Sequence, residues 1–103
     1  MKIFLSVPMK NKTKQEIEKT IEFMKDKAIE KFGYSGIEFI NTIVEEKPPY
    51  STNNEAIWYL GKSIELLAQC SVIICFKDLS PIYNGCIIEK EIGKRYGLQV
   101  VEL

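Results

Sequence analysis

Glu89 is the residue on which chemistry can be built, because of what precedes it in the chain. The apolar run Val72-Ile73-Ile74-Cys75-Phe76 reads as a buried strand, and a short loop with Pro81 follows it. Tyr83-Asn84-Gly85-Cys86-Ile87-Ile88-Glu89 then opens a helix, which sets Glu89 one turn in, beside the carboxyl end of that strand. The amides of Gly85, Cys86 and Ile87 are expected to be free at the helix start, where they suit an anion such as phosphate. A carboxylate beside a bound sugar and a stacked base is equipped for N-glycosidic bond chemistry. It attacks C1′ as oxocarbenium character develops, giving a covalent glycosyl-enzyme and overall retention.

Blander readings stand beside this one. Glutamate is common early in helices because it complements the helix dipole. Glu91 points to another helix face and reads as solvated. Cys86, near a helix N-terminus, has the place of an activated thiol. The chain holds no His to serve as its base, so packing is the favoured role.

The elements that must position Glu89 can be read from periodicity. Lys2 to Val7 is an apolar run that suits a central parallel strand, and Pro8 ends its ladder. Thr13-Lys14-Gln15-Glu16 is a capping box. The helix it opens carries Ile17, Ile21, Met24, Ala28 and Phe32 as one stripe, and stops at Gly33. Gly36 to Val44 predicts a second strand, made polar by Glu38, Asn41 and Thr42 and so placed at an edge.

After the Pro48-Pro49 loop, Asn53 or Asn54 caps a second helix with Glu55 in its first turn. Ile57, Leu60, Ile64 and Leu67 are expected to face the core, with Ala68 beside them. Trp58 and Tyr59 fall off that stripe, as a ligand-pocket wall, a subunit contact or a seat for the proline loop. Ser71 to Phe76 predicts the third strand, Gly85 to Tyr96 the third helix with Gly97 as its stop, and Leu98 to Leu103 the last strand.

Alternation of strands and helices implies an α/β fold, a flavodoxin-like three-layer sandwich with parallel strands in the order 2-1-3-4. Its switch point lies between strands 1 and 3, so the loops Val7–Lys12 and Lys77–Gly85 flank one crevice. Ser6, Met9 and Lys10 approach that crevice from the first loop.

Bulk properties narrow the classes. The 103 residues, 1–103, form one domain. Equal numbers of basic and acidic residues, 14 each, leave no electrostatic footprint for a nucleic-acid polymer. Cys70, Cys75 and Cys86 lack metal-ligand spacing, so no metal or cofactor is expected. With three cysteines and no disulfide framework, and no apolar stretch of roughly 20 residues, the expectation is a cytoplasmic protein without a membrane segment.

Three segments carry a resemblance. Lys2-Ile3-Phe4-Leu5-Ser6-Val7-Pro8-Met9, Trp58-Tyr59-Leu60-Gly61-Lys62-Ser63 and Gly85-Cys86-Ile87-Ile88-Glu89-Lys90-Glu91 resemble the nucleoside 2-deoxyribosyltransferase-like superfamily. They are most similar to a small branch of it found in bacteria and their phages. The resemblance implies a nucleoside or nucleotide ligand, Glu89 as nucleophile, and Trp58 or Tyr59 stacked on the base. It also implies phosphate held by the amides of Gly85 and Cys86 with Ser6 or Lys10, Met9, Ser63 and Asn84 among the other substrate-binding residues, and a homo-oligomer whose sites are completed across subunits. The match has departures. Where the active transferases carry a proton-donating aspartate, the sequence has Ser63, a poor acid at neutral pH. Val7 replaces a customary glycine, and Tyr83-Asn84 replaces a customary acidic residue. A module that binds a nucleotide without turnover is the second expectation.

Overall fold

Lys2–Leu5 forms β1, and a computed structural model describes it together with the rest of residues 1–40 and 43–103. In chain order the other elements are α1 (Lys14–Phe32), β2 (Glu38–Ile40), α2 (Glu55–Leu67), β3 (Val72–Cys75), α3 (Asn84–Arg95) and β4 (Gln99–Glu102). The strands form one parallel sheet in the order β2-β1-β3-β4. This is the expected flavodoxin-like sandwich. β2 lies at an edge as its polarity predicted, while Asn41 and Thr42 lie outside the described residues.

Side-chain alternation divides the core between the two sheet faces. Ile3, Leu5, Val72 and Ile74 point to one face, where Met24 and Ala28 of α1 cover them. Phe4 and Ile73 point to the other, where Leu67 of α2 and Ile92 of α3 meet them. The stripe read from α1 is therefore the one it buries.

Its start is capped reciprocally: the Glu16 N–H donates to Thr13 Oγ1 at 3.1 Å, and the Thr13 N–H donates to Glu16 Oε1 at 3.2 Å. Thr13→Ala is expected to cost about 1 kcal/mol, read as a lower urea midpoint at unchanged slope. The α1 stop, Gly33, has a φ of 81°, a conformation costly for any residue with a Cβ.

One helix departs from its predicted facing. Ile57 is 66% exposed and Ala68 is exposed too, whereas Trp58 and Tyr59 are half-buried. Length explains the facing at the Ile57 end. α2 has 13 residues and spans about 20 Å, while a four-residue strand spans about 13 Å. The C-terminal turns of α2 sit on the sheet and bury Leu67. Its first turn overhangs the strand ends, and there the core makes no demand on which residues face in.

Candidate functional site

The site begins with the alternation of β1 and β3. Ser6 follows β1 and stays in the ladder, its N–H donating to the Ile74 carbonyl at 2.9 Å. Two residues beyond Phe4 and Ile73, Ser6 and Cys75 therefore face α3. That helix presents Cys86, Glu89 and Gly93, its three buried residues, along one stripe. Gly93 permits close approach: a Cβ there would sit 2.8 Å from Ile73 Cγ2. One turn earlier, Glu89 is consequently pressed into the position of a core residue.

Glu89 is 7% exposed and accepts a hydrogen bond on Oε1 from the Ser6 hydroxyl at 2.7 Å. Every fully buried side-chain nitrogen or oxygen among the described residues has a hydrogen-bond partner, and Oε2 has none, so Oε2 reaches solvent. Burial pushes the Glu89 carboxyl up to about 7, and the Ser6 hydrogen bond works against that rise. Burial likewise holds the Cys75 and Cys86 thiols near 11, so neither is a thiolate at neutral pH. Cys86 packs. Glu91, by contrast, is exposed and pairs with Arg95 at 2.6 Å.

The start of α3 differs from the expectation by one residue. Tyr83 is the N-cap, without a side-chain cap hydrogen bond, and the Ile87 N–H donates to the Tyr83 carbonyl at 3.1 Å. The amides outside the helix ladder are those of Asn84, Gly85 and Cys86. An earlier helix start commits Ile87 and releases Asn84.

The other expected site residues divide into two groups. Ser6 is 1% exposed and committed to Glu89, which removes it from phosphate binding. Met9 is half-buried against the α1-side core, while Lys10 is exposed in a turn that Asn11 closes with a φ of 63°. Both α2 and α3 begin at the carboxyl edge of the sheet, and a Cβ on Gly85 would lie 3.9 Å from Leu60 Cδ1. This brings the turn holding Trp58, Tyr59 and Leu60 beside the start of α3, with Ser63, half-buried, one turn on.

Trp58 and Tyr59 meet edge to face at 5.1 Å, and the Lys62 ammonium lies 5.6 Å from the Trp58 ring. A cleft of about 400 Å³ runs between Trp58 and Tyr50, and another of about 460 Å³ between Tyr59 and Tyr50. The proline loop and the aromatic pair thus border the same open space. Tyr50 was missed by periodicity. Its signal was an exposed aromatic directly after Pro48-Pro49, a rigid pair that presents whatever follows it.

Among the described residues, no group of three or more Cys, Asp and Glu side chains converges as a metal site would. Comparison of the chain with protein-family models, with curated proteins and with solved structures gives no match.

Proposed function

We propose that the protein acts on the N-glycosidic bond of a nucleoside or nucleotide, as an N-glycosidase or deoxyribosyltransferase, with Glu89 as nucleophile. One observation carries this: a carboxylate occupies a core position of α3, held by a single hydroxyl, with one oxygen open to solvent. An apolar residue there would stabilise the fold, and burying the carboxylate raises its pKa at a cost in stability. The resemblance of the Lys2–Met9, Trp58–Ser63 and Gly85–Glu91 segments to the nucleoside 2-deoxyribosyltransferase-like superfamily supports the same role.

In this reading Oε2 attacks C1′, the C1′–N bond breaks, and its electron pair leaves with the base. The base takes a proton from water, because Ser63 is a poor acid. Water, or a second base, then attacks C1′ from the opposite face, and the C1′–Oε2 bond breaks to regenerate the carboxylate. Water's spare proton returns to solvent. Trp58 or Tyr59, with Tyr50, stacks the base, while Lys10 and the amides of Asn84, Gly85 and Cys86 hold phosphate.

Only ionised Glu89 attacks, so base release is expected to rise with pH around a midpoint near 7. A flat profile from pH 5 to 9 would count against Glu89. The direct test is incubation with a panel of nucleosides and 5′-nucleotides, following free base by chromatography. Ser63 in the acid's place favours a second reading, a nucleotide-binding module. Calorimetric binding without base release would establish it.

Exposed apolar surface supports a homo-oligomer. α2 and α3 leave a groove of about 470 Å³ between them, lined by Ile64, Ala68, Ile92 and Tyr96 among others. Light scattering after size exclusion is expected to give at least twice the monomer mass, and a clean monomer would refute the assembly. Three free buried thiols suit a reducing cytoplasm. No helix among the described residues is long and apolar enough to cross a membrane.

A further inference from the structure

We infer that Ser6 is the positioning residue of Glu89: its hydroxyl holds Oε1 so that Oε2 is the oxygen offered to the sugar carbon. The role of Oε2 rests on the glycosidic reading above; the hold on Oε1 does not. The contact is short, 2.7 Å, and buried. Its donor is fixed by the sheet, since the Ser6 N–H is bound to the Ile74 carbonyl, and Ser6 is too enclosed to meet a ligand itself. Among the described residues no second donor reaches the Glu89 carboxylate.

The charged and titratable neighbours do not substitute for the hydroxyl. Cys75 of β3 and Cys86 of α3 face Glu89 as neutral thiols. Lys90, next along α3, reaches the Lys77 carbonyl at 3.3 Å and Glu102 of β4 at 3.8 Å. Lys94 is drawn to Glu102 as well, at 3.1 Å. Glu89 is left with Ser6 alone to favour its ionised form.

The hydroxyl serves both halves of the reaction. When Oε2 bonds to C1′, Oε1 becomes the ester carbonyl and still accepts from Ser6. When water attacks C1′ and the C1′–Oε2 bond breaks, negative charge returns to the carboxylate and the hydrogen bond strengthens with it. A hydroxyl present only to satisfy a buried group would move stability and the Glu89 titration but leave kcat at full ionisation unchanged.

The test compares Ser6→Thr with Ser6→Val, nearly equal in shape and different in the hydroxyl, in the full chain. The Glu89 side-chain carboxyl carbon is titrated by NMR, and base release is measured on the nucleoside and nucleotide panel. Ser6→Val is expected to titrate about one unit higher than Ser6→Thr, which stays near the wild type. Its kcat is expected to fall about tenfold with KM unchanged. Equal midpoints for the two variants would overturn the positioning role, and persistent base release would then leave the glycosidic reading standing. A shifted midpoint with no base release from any form would keep the hold on Oε1 and remove both the glycosidic reading and the role given to Oε2. If the branched variants lose their circular dichroism, Ser6→Ala against the wild type gives the same comparison.

Discussion

Glu89→Gln is expected to abolish base release and, at pH 8, to make the protein more stable than the wild type. The substitution removes the carboxylate proposed to form the glycosyl ester, so a fall of about 10³-fold or more is expected. The stability gain follows from linkage. An unfolded glutamate ionises near 4.5, whereas the folded one holds its proton to about 7. The folded state therefore binds the proton more tightly. Its advantage is whole below the unfolded value and is lost as pH rises through about 7. Above that, ionised Glu89 costs the fold about 3 kcal/mol, which neutral glutamine does not. Urea denaturation should show the variant ahead at pH 8 and level with the wild type near pH 4. Equal stabilities at both would mean that Glu89 is not the buried, raised carboxyl described. Base release retained by Glu89→Gln would refute its role as nucleophile.

Gly93→Val is expected to destabilise the fold by about 3 kcal/mol and to disturb the site one turn away. A Cβ alone would come to 2.8 Å from Ile73 Cγ2 and 3.5 Å from Val100 Cγ2, and both are side chains of the sheet. Neither can yield without moving β3 or β4, and a β-branched residue is also less at ease in a helix than alanine. α3 must then lift from the sheet at the point that sets its approach. That movement lengthens the Ser6–Glu89 hydrogen bond, so base release should fall along with stability. A lowered urea midpoint with unchanged kcat would separate the two effects and show that the approach at Gly93 does not set the site. An unchanged midpoint would remove the packing argument altogether.

The sandwich and the strand order were readable because they rest on local signals. Apolar runs at Lys2–Val7 and Ser71–Phe76 mark strands buried on both faces, and Thr13 with Glu16 marks a helix start. The start of α3 was read one residue late because Tyr83 makes no side-chain cap hydrogen bond to mark it. The facing of α2 misled for a different reason. Periodicity assumes a partner along the whole helix, and the strands end before α2 does.

Glu89 itself was marked by its place in the sequence, one turn into a helix after a buried strand. That determined which carboxylate lies at the switch point of the sheet, because chain order and right-handed crossovers determine where strand ends meet. What surrounds it was decided only in three dimensions. Ser6 stands 83 positions away, and only the pairing of β1 with β3, under a helix that Gly93 lets approach, joins the two. Chain order put Ser6 and Glu89 at one crevice, but which atoms meet across the sheet was settled only by packing. The burial that raises the carboxyl, the hydroxyl that opposes the rise and the oxygen left open all belong to that packing.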